Sequence, residues 1–306
     1  MSEQIIWTQW DDLNVPTSFK RLSPANTPID GGDFSKVTFY VPWYMGGKPA
    51  LELTKQMPNL RILQVPNAGY DDAIEYLRPG MTLCNGKSIH NDSTAELAVG
   101  LTIASLRGFP DFIRNQDKSD WVSGTFKSIN DRKIGIVGFG SIGTTIAKML
   151  AGFAVEVVGF TQSGRDNTIA ISDLDKHLPS LDVVILILPL TKDSKHLFDA
   201  RRLALMKDGA LLVNVARGGV VATDALVKEL NSGRITAALD VTDPEPLPKD
   251  HPLWRAKGVL ISPHVGGNTT AFESRARRLI ESQLNLLAEN KPLNNVIVAG
   301  NWANTF

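Results

Sequence analysis

Short apolar runs alternate with stretches in which apolar residues recur at helical spacing, almost from one end of the chain to the other. The short runs read as buried strands, because a parallel strand covered on both faces loses the polar alternation of a half-exposed one. In the first third the candidate strands are 5–7, 37–41, 61–65 and 81–84, with helical patterns at 49–56 and 71–77. A more regular series starts at residue 133, with strands at 133–137, 155–160, 183–188, 210–215, 237–240 and 259–262. Strands alternating with helices predict an α/β protein whose second part is a doubly wound sheet.

Two long helices join these series. Leu97, Leu101 and Ala104 fall at helical spacing behind Ser93-Thr94-Ala95-Glu96, an opening of the capping-box type. The second helix, 271–290, carries Phe272, Leu279, Leu284, Leu286 and Leu287 and ends before Pro292, after which 292–298 returns to the first domain. The expected organisation is therefore a smaller domain, 1–95 with 275–306, and a larger one, 96–274. A chain of 306 residues is also longer than one hydrophobic core usually supports.

Composition narrows the function classes. With 43% hydrophobic and 21% charged residues the chain is too apolar for intrinsic disorder. Its 32 basic and 32 acidic residues cancel, so no global field draws it to nucleic acid or to an anionic membrane, and neither is expected as a partner. The most apolar run, 183–190, contains Pro189 and falls far short of the ~20 residues that span a bilayer. Cys84 is the single cysteine, which leaves no intramolecular disulfide or cysteine cage. The opening MSEQIIWTQWDDL lacks the basic start and apolar run of a secretory signal, so a cytoplasmic location is expected. His90, His177, His196 and His251 form no metal-type pair, and no metal is expected.

The first candidate chemistry lies in KIGIVGFGSIGTTIAKML, where Gly138, Gly140 and Gly143 follow an apolar strand and open a helix. In that context the first glycine permits a tight turn, the second lets a pyrophosphate approach the backbone, and the third lets helix and strand pack closely. Phe139, Ser141 and Ile142 complete the loop, and the helix N-terminus offers free N–H groups to phosphate. An NAD enzyme usually carries a carboxylate ~20 residues further on, for the ribose 2′-hydroxyl. Thr161 stands there instead, followed by Gln162, Ser163 and Arg165. Hydroxyl, amide and guanidinium donors suit a 2′-phosphate, so NADP(H) is the expected cofactor. The competing reading makes Arg165 a solvated loop residue and leaves NAD(H) use open.

Three further residues stand at or just past strand ends, where open parallel sheets bind ligands: Arg217 in LLVNVARGGVV, Glu245 in ALDVTDPEPL and His264 in VLISPHVGG. Each alone has a structural explanation, as an ion-paired arginine, a loop carboxylate or a core histidine. Together they form a constellation for reducing a 2-oxo acid. A guanidinium can hold the substrate carboxylate and polarise its carbonyl, and an imidazolium can protonate the developing alkoxide. A carboxylate can keep the ring charged and oriented.

The GFGSIG loop, the run LPLTKDSKHLFDARRLALMKDGALLVNVARGGVV, the segment LDVTDPEPLPKDHPLW and the element SPHVGG occur in this order. In order and spacing the chain resembles the D-isomer-specific 2-hydroxyacid dehydrogenase family over roughly residues 67–298. The resemblance implies a Rossmann nucleotide-binding domain plus a smaller flavodoxin-like α/β substrate domain, and NAD(P)-linked reduction of a 2-oxo acid. It matches Arg217, Glu245 and His264 to the family's Arg, Glu and His, and Asp240 to the Asp that contacts the nicotinamide carboxamide. It adds Pro189 and Ala216 to the cofactor contacts. Backbone N–H groups around Ala68 and Gly69 correspond to the family's substrate-carboxylate loop, and 107–121 to its dimer arm, so a homodimer is expected. Thr161 in place of the family Asp or Glu is similar to NADP-using glyoxylate and hydroxypyruvate reductases.

The first sixty residues match only loosely, and in the loop VPWYMGG they hold Trp43, Tyr44 and Met45 as a candidate apolar wall for the substrate. Gln in place of Glu245 would point to formate oxidation. Phosphite oxidation uses the same Arg, Glu and His and stays open, as does a dinucleotide-sensing binding protein of the corepressor type.

Overall fold

The computed structural model describes residues 4–300. The chain forms two compact units, the first from residues up to His90 together with those from Thr270, the second Asn91–Thr269. Each joint lies slightly earlier along the chain than the expected 95/96 and 274/275. Helix packing explains the difference. Asn91–Leu106 is one rod that packs on the second unit's helix Ser141–Leu150, so its first turn goes with the rest. Phe272–Ala288 likewise seats Phe272, Ala276, Ile280, Leu284 and Leu287 in the first unit's core.

The first unit's sheet contains β1 (Gln4–Trp7), β2 (Phe19–Leu22), β3 (Phe39–Tyr40), β4 (Ile62–Gln64), β5 (Thr82–Cys84) and the late strand Val296–Val298. Their order is β2-β1-β3-β4-β5 followed by Val296–Val298, all parallel except that last strand, which runs antiparallel to β5. This is the flavodoxin-type order with one added edge strand. One face packs Trp7, Tyr40, Leu63 and Leu83, and the other packs Ile6, Phe39 and Ile62 under the C-terminal helix. β2 carries exposed Lys20 and half-exposed Arg21 at the sheet's edge, which hid it from the apolar pattern. The helix expected at 71–77 is only a single tight turn, Ile74–Tyr76, because Pro79 and Gly80 (φ 88°) follow immediately.

The second unit's strands are β6 (Lys133–Val137), β7 (Glu156–Thr161), β8 (Ile169–Ala170), β9 (Val183–Leu186), β10 (Leu211–Asn214), β11 (Thr236–Leu239) and β12 (Val259–Ile261). Their order is β12-β11-β10-β9-β6-β7-β8, and every pairing is parallel. The reversal between β6 and β9 is the switch point of a Rossmann sheet. β9 and β10 are buried at every position, each apolar side chain worth about 1.5–3 kcal/mol when removed from water, while the polar Asn214 at the end of β10 is hydrogen-bonded. That continuous burial is the source of the unbroken apolar runs in the sequence.

Candidate active site

The glycine loop takes the geometry its spacing predicts. β6 runs into Gly138 at φ 101°, where a Cβ would lie 2.3 Å from the Ile187 carbonyl oxygen. The Gly138 and Phe139 N–H groups both donate to the Phe160 carbonyl, at 2.9 and 3.0 Å, tying the loop to β7. A Cβ on Gly143 would approach the Gly138 oxygen to 2.7 Å, so this glycine is needed for packing. A Cβ on Gly140 would meet nothing within 4 Å. Packing therefore does not demand glycine at 140, whereas a phosphate approaching the backbone would. Ser141 and Ile142 follow in the first turn of helix Ser141–Leu150, whose N–H groups lack intrahelical acceptors. The Phe139 ring lies over Gly159, where a Cβ would come within 2.6 Å of it. These residues fit a dinucleotide pyrophosphate.

Past β7 the Thr161 hydroxyl is 2.7 Å from the Thr168 hydroxyl and accepts from the Gly164 N–H at 3.1 Å. Thr161 is thus the organiser of a turn that presents Gln162, Ser163 and Arg165 to solvent. Arg165 Nε is 3.8 Å from the Asp166 carboxylate, both side chains being well exposed. Among the described residues no carboxylate occupies position 161 itself. Thr168, which helps to hold this turn, carried no signal in the sequence.

The three catalytic candidates sit on the loops after β10, β11 and β12. Arg217 follows the buried Asn214, whose side chain accepts from the Ala216 N–H at 3.1 Å and donates to the Arg217 carbonyl at 3.0 Å. Arg217 Nη1 donates to the Ala216 carbonyl at 2.9 Å. At Gly218 a Cβ would fall 1.8 Å from the Thr242 carbonyl oxygen, so the Arg217 loop presses directly on the loop that carries Glu245. Pro189, past β9, is exposed and gives its carbonyl to the Ser194 hydroxyl at 2.7 Å.

Glu245 lies between Pro244 and Pro246, whose rings restrict the backbone on either side. Its Oε1 is 2.5 Å from His264 Nδ1, and both side chains are partly exposed. A carboxylate acceptor at that distance places the proton on Nδ1, which leaves Nε2 as the nitrogen that exchanges a proton with a ligand. Burial pushes the Glu245 carboxyl up. The hydrogen bond and charge of His264, the Thr242 backbone and the Arg217 charge outweigh it and leave the group below its ordinary 4.5. The stability linked to ionisation of the Glu245 carboxyl is therefore present above pH 4.5 and is lost as the pH falls through the lower folded value. A carbon-13 titration of the Glu245 carboxyl should have its midpoint below 4.5; a midpoint above it would contradict this arrangement.

His264 adopts φ 53°, and its N–H donates to the Asp240 carbonyl at 2.7 Å. The Asp240 side chain, 3% exposed, accepts from the Ser262 hydroxyl (2.6 Å), the Val265 N–H (2.9 Å) and the Gly266 N–H (2.9 Å). Asp240 therefore builds the turn that carries His264, in addition to any contact with a cofactor. Asn214 and Gly218 were missed as individual residues by reasoning from the sequence. An Asn ending an apolar strand and a glycine directly after a charged residue were the available signals.

In the first unit, Ala68 and Gly69 lie half-buried on the loop after β4. Tyr44 stacks on Phe272 with ring centroids 3.7 Å apart and on His90 at 5.5 Å, and burial pushes its hydroxyl up to about 12. Trp43 packs on the core and Met45 is exposed at φ 58°. Among the described residues no group of three side chains could hold a metal, and no helix is long and apolar enough to cross a membrane.

The model of the D-isomer specific 2-hydroxyacid dehydrogenase NAD-binding domain matches residues 99–266, more than half of the chain. The chain belongs to this family. A glyoxylate reductase of Thermofilum pendens is 34% identical over 252 residues, covering 78% of this chain and 74% of the relative. A D-isomer-specific 2-hydroxyacid dehydrogenase family protein from Aeromonas salmonicida has a solved structure with TM-score 0.85 and 26% identity, covering 97% of this chain and 99% of that one. An NADPH-dependent glyoxylate/hydroxypyruvate reductase from Sinorhizobium meliloti, solved with NADP and sulfate, superposes with TM-score 0.82 at 22% identity, over 97% and 98% of the two chains. As a member of the 2-hydroxyacid dehydrogenase family, this protein is a nicotinamide-dinucleotide-linked oxidoreductase that interconverts 2-oxo and 2-hydroxy acids.

Proposed function

We propose that the enzyme reduces a small 2-oxo acid of the glyoxylate and hydroxypyruvate class to the D-2-hydroxy acid, with NADPH preferred over NADH. The observation that carries this reading is the 2.5 Å contact of His264 with Glu245, with the Arg217 charge close enough to act on the same carboxylate. The bound dinucleotide supplies the hydride. Arg217 holds the substrate carboxylate and polarises the carbonyl through its fork of N–H donors. His264 delivers the Nε2 proton to the oxygen that becomes the hydroxyl, while Glu245 accepts from Nδ1 and stabilises the charged ring. The N–H groups of Ala68 and Gly69 bind the substrate carboxylate, and Tyr44 borders the substrate's substituent. Gly138 through Gly143 take the pyrophosphate, and Pro189, Ala216 and Asp240 serve the nicotinamide end.

Support for the NADPH preference is the Thr161 turn with Gln162, Ser163 and Arg165 exposed at its rim. Thr161→Asp should raise the KM for NADPH by ~10-fold or more with little change for NADH, because a carboxylate repels the extra phosphate. Equal effects on the two cofactors would remove this turn from selectivity.

Exposed Phe109, Phe112, Ile113, Trp121 and Val122 on the segment around helix Phe109–Asp117 support a homodimer, since a run of this kind is costly to leave in water. Light scattering should give twice the 33.4 kDa chain mass. A panel of glyoxylate, hydroxypyruvate, pyruvate and bulkier 2-oxo acids, run with each cofactor and with phosphite as the reverse-direction control, tests the function. Turnover of phosphite alone would reassign the reaction, and no turnover at all would favour a dinucleotide sensor.

A further inference from the structure

The loop after β4 is held by the segment that ends β5. The Asn67 carbonyl accepts from the Gly86 N–H at 2.7 Å, and the Ala68 carbonyl accepts from Asn85 Nδ2 at 2.6 Å. Neither the 67–68 nor the 68–69 peptide is cis. In a trans peptide the C=O and the N–H point in opposite directions. With two successive carbonyls drawn toward residues 85 and 86, the N–H groups of Ala68 and Gly69 are both turned away from them, toward the same side. Paired N–H groups of this kind make a concavity suited to a carboxylate.

Asn85 is itself fixed. It is 5% exposed, its N–H donates to the Asn295 carbonyl at 3.1 Å, and its carbonyl accepts from Gln64 Nε2 at 3.1 Å. The Lys87 N–H, 3.3 Å from Asn85 Oδ1, sets the orientation of the side-chain amide, so that Nδ2 faces Ala68. Gln64 in turn accepts from Gln283, which is fully buried on helix Phe272–Ala288. At Gly86 a Cβ would come 2.4 Å from the Pro66 carbonyl oxygen, which explains how residues 86 and 67 approach so closely.

We infer that Asn85 is a positioning residue for substrate binding, which acts by holding the Ala68 carbonyl and so aiming the Ala68 and Gly69 N–H groups at the substrate carboxylate. This rests on the reading that the protein reduces a 2-oxo acid held by that loop. Asn85 is not assigned a contact with substrate; its amide is spent on Ala68.

The test uses the full-length enzyme with NADPH, in wild type, Asn85→Ala and the near-isosteric Asn85→Asp, which cannot donate to a carbonyl when ionised. The readouts are KM for glyoxylate, the inhibition constant of oxalate, the NADPH dissociation constant and the melting temperature. Loss of the anchor should raise the glyoxylate KM and the oxalate constant together by ~10-fold, with kcat and NADPH affinity within about twofold of wild type. Asn85→Ser, which restores a donor, should recover part of the loss. Unchanged KM and oxalate binding in both variants would overturn the inference. So would a parallel loss of NADPH affinity and thermal stability, or failure of both variants to fold, since either result would make Asn85 purely structural. A wild-type enzyme that reduces no 2-oxo acid would instead defeat the functional reading, visible before any variant is measured, and the inference would fall with it.

Discussion

Replacing His264 with alanine is expected to slow 2-oxo acid reduction by at least ~10²-fold while the NADPH dissociation constant stays within about twofold of wild type. The expectation follows from the direction of its contacts. Nδ1 is committed to Glu245 at 2.5 Å, and the backbone N–H of His264 is committed to Asp240, so Nε2 is the ring atom left for exchange with a ligand. The turn is held by Asp240 through Ser262, Val265 and Gly266, none of which the substitution touches. The variant should therefore keep its fold, and its melting temperature should fall only by what the lost Glu245 contact contributes. Steady-state kinetics with glyoxylate together with a fluorescence titration of NADPH measure both quantities. Full activity in the variant would remove His264 from the reaction, and a collapse of NADPH binding would mean the residue supports the cofactor fold instead.

The second large effect is expected at a residue with no side chain. Gly218→Ala should destabilise the second unit by about 1–3 kcal/mol and lower kcat by ~10-fold or more. Its Cβ would be driven to 1.8 Å from the Thr242 carbonyl oxygen and 2.6 Å from the Asp243 N, which are backbone atoms with no rotamer to change. Relief requires the loop after β10 to separate from the loop after β11, and that moves Arg217 away from Glu245. Gly219→Ala is the matched control, because its Cβ would meet only the Leu190 side chain at 3.4–3.5 Å and the Asp243 carboxylate at 3.6 Å. Thermal melting and kcat of the two variants decide the matter. Equal behaviour at 218 and 219 would show that the loop contact does not position the arginine.

Much of this architecture was legible because burial on both faces makes a parallel strand almost uniformly apolar, as in Val183–Leu186 and Leu211–Asn214. β2 escaped notice because its Lys20 and Arg21 protect a sheet edge, and β8 because Ile169–Ala170 is two residues long. The glycine loop could be read in part from packing, since Gly138 and Gly143 each answer a steric demand from backbone oxygens, whereas nothing within the chain crowds Gly140. That the candidates Arg217, Glu245 and His264 lie on loops past strand ends was legible for a related reason, as such positions announce themselves by the apolar run that precedes them.

Hydrogen bonds between distant segments were not legible. Nothing in LDVTDPEP says that Asp240 will take three donors from 262–266, and nothing in VPWYMGG says that Tyr44 will stack on Phe272. Asn85, at the end of a strand, reads as a turn residue until its amide is found on the Ala68 carbonyl. Such contacts depend on which loops the finished sheet brings together, and that information is spread over the whole chain.

The most direct measurement of the central claim follows one atom. NADPH carrying deuterium at the transferred position of its nicotinamide is incubated with hydroxypyruvate and the wild-type enzyme, and the product is examined by nuclear magnetic resonance and chiral chromatography. The expected product is D-glycerate with deuterium on carbon 2. Unlabelled product, the L-enantiomer, or no product from any 2-oxo acid would contradict it.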